Sequence, residues 1–180
     1  MAQQREQAAD DALMTRIGQV VMLHHAGDSE EARDRFLGLW SEVGEDGDPL
    51  HRCTLAHYLA DTQADPSDEL AWDLRALSAA DSCTGQRSTE LRALYPSLHL
   101  NLAADYVKLG RPGAARSHLT RARTAAGALG DGAAADGYAA GVRATLTRLE
   151  RQVAGLSGEG EDEAGGRPGG EPLGPPRSGS

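Results

Sequence analysis

Apolar side chains recur along this chain at three- and four-residue intervals, and short breaks rich in Gly, Asp and Pro separate the runs. Such spacing puts one apolar stripe on a helix, and it predicts eight helical segments. The first runs from about Gln7 to His25, with Leu13, Ile17, Val20 and Val21 on its face, and Gly27-Asp28 ends it. Ser29 is read as the N-cap of a second helix reaching about Val43. Glu30 and Glu31 fall in its first turn, where the helix dipole favours anions, and Ala32, Phe36, Leu39, Trp40 and Val43 form its stripe. Asp48-Pro49, an N-cap followed by proline at the first helical position, opens a third helix that carries Leu55, Tyr58 and Leu59 and stops near Thr62.

Asp65-Pro66-Ser67 reads as the next break, and a fourth helix is expected from about Asp68 to Ala80, with Leu70, Ala71, Leu74 and Leu77 inward. A short fifth segment, about Ser88 to Leu94, is either separated from the sixth helix by Pro96 or joined to it with a kink there. The sixth and seventh helices occupy Pro96 to Gly127, with Gly110-Arg111-Pro112 as their turn. The last helix, about Ala133 to Val153, presents Tyr138, Val142, Leu146 and Leu149. From Ser157 the composition shifts to Gly, Pro, Glu and Ser, with too little apolar surface to offset ordering entropy. The chain therefore divides into a helical domain over 1–156 and a tail over 157–180 that is expected to be disordered.

Composition supports an all-α class: Ala and Leu fill the apolar positions, and β-branched residues are few. No apolar run approaches the roughly 20 residues of a membrane span. The N-terminus lacks a basic region followed by an apolar one, so a cytoplasmic location and no membrane partner are expected. Cys53 and Cys83 form no CxxC and are read as reduced thiols. A single lysine, Lys108, against many arginines, with abundant Ala and Gly, matches the coding bias of GC-rich bacteria. The net charge of −9 conceals an asymmetry: residues 1–82 carry −11, residues 83–156 carry +5 and the tail carries −3. A dipole of this kind can steer a partner or a second copy.

The hairpin over Pro96 to Gly127 carries the most specific pattern. Leu102, Ala103 and Tyr106 stand on its first helix, Gly110 at the turn, and Ala115, Leu119 and Ala122 on its second. It resembles one tetratricopeptide (TPR) repeat, in which small residues let two antiparallel helices approach closely. Gly127 stands where that repeat usually ends in proline. A second, weaker copy spans Leu13 to Gly44: Val20 and Leu23 replace the small and aromatic residues of the first helix, Ala32 and Phe36 match, and Leu39 stands where a small residue is usual. The pair over about Asp48 to Asp81 matches less well, with Asp65-Pro66 in place of a glycine turn. The resemblance implies about three stacked antiparallel hairpins plus a capping helix, an α-solenoid that binds partners in its concave groove. An irregular helical bundle with one TPR-like hairpin is the alternative.

The resemblance also implies where contact would fall. Asn101, Asp105 and Lys108 are not required by the core pattern of the strong repeat, and His24 and His25 lie at the equivalent end of the first hairpin. In the TPR family an Asn and paired basic residues in the groove can clamp a peptide carboxylate. Asn101 and Lys108 match part of that set, and the other repeats supply no second Asn or basic partner. Asn101 has a structural alternative, a hydrogen bond to backbone between neighbouring helices.

The densest reactive cluster is Cys53, His57 and Asp61, spaced i, i+4, i+8 on one helix face. These residue types could ligate zinc or activate a thiol, and Cys53 near a helix start would gain a lowered pKa. The plainer reading is a buried cysteine beside a His57–Asp61 hydrogen bond. The arginines Arg116, Arg121, Arg123, Arg143, Arg148 and Arg151 make the last helices basic, yet the acidic chain and the lack of aromatic platforms disfavour nucleic acid. No phosphate-loop, dinucleotide or nucleophile-elbow motif is present. The expectation is a non-enzymatic protein- or peptide-binding scaffold without a cofactor, favouring a basic partner segment, with Asn101, Asp105, Lys108, His24, His25 and Asp61 as contact residues. Self-association is the second reading, and a metal- or cysteine-dependent activity at Cys53, His57 and Asp61 the third.

Overall fold

The computed structural model describes residues 1–84, 91–128 and 137–162. Among the described residues the chain is helical, with no strand. Its helices are α1 (Ala2–His25), α2 (Ser29–Val43), α3 (Pro49–Asp61), α4 (Pro66–Asp81), α5 (Tyr95–Lys108), α6 (Pro112–Ala128) and α7 (Gly137–Asp162). Each packs on its neighbour in sequence, and α1 also touches α3 as α5 touches α7. The core is three successive clusters: Ile17, Phe36 and Leu59 across α1, α2 and α3, then Cys53, Ala76, Leu91 and Leu98 across α3, α4 and α5. The third joins Ala103, Leu119, Leu146 and Leu149 across α5, α6 and α7.

The α1–α2 and α5–α6 hairpins turn in the same way. At the end of α5, Gly110 N–H donates to Val107 O and Arg111 N–H to Tyr106 O. At the end of α1, Gly27 N–H donates to His24 O and Asp28 N–H to Leu23 O. Both are Schellman closures, which need a left-handed residue after the helix; Gly27 and Gly110 supply it, with φ of 101° and 65°. With these glycines aligned, Ile17 matches Leu100, Val20 matches Ala103, and Ala32, Phe36 and Leu39 match Ala115, Leu119 and Ala122. All ten are buried. The hairpins differ on their other side. Leu98, Leu102 and Asp105 of α5 are buried, while the corresponding Thr15, Gln19 and Met22 of α1 are exposed, because α4 packs on that side of α5 and no described helix packs on that side of α1.

The helix starts correct several expectations. α1 begins at Ala2 instead of Gln7, since its first residues contain no helix breaker. Asp28, not Ser29, occupies the N-cap position of α2; Ser29 Oγ instead lies 3.1 Å from His24 Nδ1. α4 starts at Pro66, two residues before the expected Asp68. Asp65 Oδ1 accepts from Ser67 and Asp68 N–H, as Asp48 Oδ1 accepts from Leu50 and His51 N–H, so both Asp-Pro pairs start helices. Such caps contribute about 1 kcal/mol each.

The inward face of α4 also differs. Leu74 is 42% exposed, and Asp73, Ala76, Ala79 and Ala80 are buried beside Leu70. The small alanines let α3 and α4 pack closely, which turns Asp73 inward. Residues 85–90, with the first part of the expected fifth segment, lie outside the described residues; Leu91 is buried, and Pro96 falls within the first turn of α5. Residues 129–136 and 163–180, with the expected start of the last helix near Ala133 and most of the expected tail, also lie outside them. α7 itself runs past Ser157 to Asp162, so the helix does not end at the composition shift.

Aromatic contacts fasten the second helix to the middle of the stack. Phe36 stacks on Tyr58 at 5.7 Å, and Trp40 meets Trp72 edge to face at 5.3 Å. Arg52 lies over Trp40 and Arg75 over Trp72, at 4.4 and 4.6 Å, extending the ladder at both ends.

Candidate functional site

Three helices bring charged and polar side chains to one place. α3 supplies His57 and Asp61, α4 supplies Glu69 and Asp73, and α5 supplies Asn101, Asp105 and Lys108. Their spacing within each helix, three or four residues, keeps each set on one face. His57 stands at the centre. Its Nδ1 lies 3.0 Å from the Asn101 amide nitrogen and 3.8 Å from Asp73 Oδ1, and its Nε2 lies 3.9 Å from Asp61 Oδ2. Lys108 Nζ donates to both Glu69 oxygens at 2.6 Å and lies 3.9 Å from Asp105 Oδ1.

Burial and charge set the protonation of this group. Burial disfavours a charged His57, but the facing Asp73 and the charges of Asp61 and Asp73 outweigh it, so its pKa is raised. Burial raises the Asp61 carboxyl; His57 opposes that effect and Asp73 adds to it. The Asp105 carboxyl is pushed up to about 8, first by burial, then by Asp73 and Glu69. The repeat pattern places Asp105 in the groove, outside the core; it is instead 1% exposed. Its helix is covered on that side by α4, which the apolar stripe alone does not reveal.

The expected contact residues divide into two groups. Asn101, Asp105, Lys108 and Asp61 converge, with Lys108 already engaged by Glu69. His24 stands beside them on α1, close enough for its charge to act on Asp61, and bonds Ser29. His25 is exposed, 5.9 Å from the His24 ring. Sequence reading missed Glu69 and Asp73, although their i, i+4 spacing on α4 was available as a signal. It also missed His99 and His118, whose Nδ1 atoms lie 3.1 Å apart in the α5–α6 core.

A cavity of about 220 Å³ adjoins the cluster between α5 and α7. Leu100 and Val142 give it apolar walls, with Ser97, Asn101, Tyr138 and Thr145 as polar lining. Tyr138 ties the two helices, its hydroxyl donating to Ala93 O at 2.8 Å and lying 2.9 Å from Ser97 Oγ. Asn101 thus touches His57 on one side and lines this cavity on the other. A second hollow, about 350 Å³ between α1 and α2, is bordered by the exposed Arg16–Glu42 pair.

The alternative chemistry at Cys53 meets physical obstacles. Cys53 is buried, and burial followed by the Asp73 charge pushes its thiol up to about 12, the reverse of the expected lowering. A helix start does not lower a thiol pKa when desolvation and an adjacent carboxylate oppose ionisation. The His57–Asp61 separation is an ion-pair distance, longer than the expected hydrogen bond. Among the described residues no group of three His, Cys, Asp or Glu is placed to hold a metal ion. The six arginines of α6 and α7 are exposed, and Arg123 pairs with Glu150. No described helix is long and apolar enough to cross a membrane.

Comparison of the chain with protein-family models, with curated proteins and with solved structures finds no match.

Proposed function

We propose that this chain is a non-enzymatic binding scaffold, a TPR-like stack of three helical pairs capped by α7, which holds a protein or peptide segment across α3, α5 and α7. The position of Asn101 carries the reading: one side chain both bonds His57 of α3 and lines the cavity against α7, which makes a continuous face over alternate helices. The shared turn and the shared buried register of the α1–α2 and α5–α6 hairpins support a repeat origin. The α3–α4 pair departs from that register, with Asp73 among its inward residues.

The face matches a segment that pairs a cationic side chain with an apolar one. Asp61 offers an exposed carboxylate beside the buried acids, and the α5–α7 cavity has room for an aliphatic side chain. Charge complementarity of this sort acts mainly on encounter and register. The experiment is an amide NMR titration of the full chain with a randomised octapeptide pool carrying one fixed arginine. Shifts concentrated at Asp61, Ser97, Asn101 and Thr145 support the reading. Shifts confined to α1 and α2, or none at millimolar pool, overturn it.

Self-association is the second reading, favoured by the opposite charges of the two halves. The open side of α1 presents Thr15 and Gln19 beside the exposed Met22, a mostly polar surface for a second copy.

A further inference from the structure

Asp73 and Asp105 are the buried acids of the core, 3% and 1% exposed. Asp73 Oδ1 and Asp105 Oδ2 are enclosed and lack a hydrogen-bond donor, and they are the only such side-chain atoms among the described residues. A buried polar atom without a partner is rare in a folded protein, and a buried carboxylate without one is costlier still. The two side chains face each other across the α4–α5 seam, close enough for a hydrogen bond to form once one of them is protonated.

The surrounding charges do not resolve the conflict. α3 contributes Cys53, His57 and Asp61, α4 contributes Glu69, and α5 contributes Lys108. Lys108 is held by both oxygens of Glu69 and reaches Asp105 only at 3.9 Å. His57 is divided between Asp61 and Asp73, at 3.9 and 3.8 Å. Four carboxyl groups therefore face His57 and Lys108, with His24 of α1 acting on Asp61, and none of these groups comes within hydrogen-bond distance of the two empty oxygens. Two acceptors in contact repel. One added proton converts them into a donor and an acceptor and removes one buried charge.

We propose that Asp73 and Asp105 share one proton, forming a carboxylic acid–carboxylate hydrogen bond that fastens α4 to α5 beneath the His57–Asn101 contact. The Asp105 hydroxyl donates and the Asp73 carboxylate accepts. The upward displacement of Asp105 has the direction this bond requires. Loss of the proton to solvent at mildly alkaline pH sets two anions face to face, weakens the seam and adds one negative charge under the binding face. The shared proton stands independently of the peptide-binding reading, because it depends only on the α3–α4–α5 packing.

Carboxyl-carbon NMR on the full chain, labelled at aspartate and titrated from pH 4 to 10, tests it directly. Asp105 is expected to titrate near pH 8, about four units above an ordinary aspartate. Thermal unfolding supplies a second readout: the wild-type melting temperature falls between pH 6 and 9, and in Asp105→Asn, whose amide donates permanently to Asp73, that fall shrinks to the part that His57 deprotonation contributes. Titration of Asp105 below about pH 5 in the wild-type chain overturns the proposal, whether or not the variant folds.

Discussion

The Asn101 amide nitrogen lies 3.0 Å from His57 Nδ1, and this contact joins α5 to α3 across 44 positions of sequence. The pairing constrains both groups. A neutral His57 with its proton on Nε2 accepts from the Asn101 amide; a protonated His57 donates from Nδ1, and the amide must then present its oxygen. The contact can therefore persist through His57 titration if the amide turns over. Replacement by alanine removes it in either state.

Asn101→Ala is expected to cost about 1–2 kcal/mol of folding stability, the value of one half-buried hydrogen bond with its partner left behind. Urea unfolding followed by circular dichroism measures it, as a lower midpoint at unchanged slope. An unchanged midpoint would mean that the two side chains do not hold α3 against α5.

The His99–His118 pair gives the fold an acid-sensitive element. Burial, then the His99 and Arg121 charges, push His118 down to about 4, and burial followed by Arg121 lowers His99 as well. An unfolded histidine titrates near 6.5, so the unfolded chain binds more protons over the interval between those values. The pair's stabilisation is thus complete above about pH 6.5 and lost as the pH falls toward about 4. His118→Asn should be less stable than wild type at pH 7, and the gap between the two melting temperatures should close by pH 4.5. A gap of constant size would contradict the assignment of a neutral pair.

Asp105 acts with the opposite sign. Its folded value of about 8 lies above the unfolded value near 3.9, so the stability it contributes is present at low pH and lost as the pH rises toward 8. His57, whose pKa is also raised, loses its contribution in the same direction as it deprotonates. Between pH 6.5 and 9 the wild-type melting temperature therefore declines.

Tyr106 tests the hairpin that carries the repeat pattern. That pattern places its ring in the core, which for a fully enclosed aromatic would make Tyr106→Ala cost about 3–5 kcal/mol. The ring is half-buried and stacks on His118 at 5.5 Å. The expected loss in urea unfolding is accordingly about 2–3 kcal/mol, combining partial burial with one ring contact. A loss below about 1 kcal/mol would show that the ring does not close the α5–α6 hairpin.

Much of the fold could be read from local chemistry. Asp48-Pro49 marked the start of α3, Gly110 the turn after α5, and the apolar stripes of α2 and α6 identified their buried faces, because each signal acts within a few residues. The same cap logic applied to Asp65-Pro66 would have placed the start of α4 correctly. The buried face of α4 was not legible from its leucines. Its alanines pack inward because α3 approaches closely, and Leu74 is left outside. The polar cluster was legible in part: the His57–Asp61 spacing on α3 and the residues Asn101, Asp105 and Lys108 on α5 could be read, but that Asn101 meets His57, and that Glu69 and Asp73 of α4 join them, depends on packing between helices. Asp105 looked like a groove residue because the core pattern of the repeat does not require it; the packing of α4 against α5 covers it, whereas the matching α1 position, Met22, is 73% exposed.

The proposed binding face across α3, α5 and α7 is tested most directly by parallel selections from a displayed random-peptide library against the full chain, Asn101→Ala and Asp61→Lys. Wild type is predicted to enrich sequences that pair Lys or Arg with a nearby apolar residue, Asn101→Ala to lose that enrichment, and Asp61→Lys to shift it toward acidic sequences. The same pattern from all three chains, or none from the wild type, would contradict a peptide-binding face at this position.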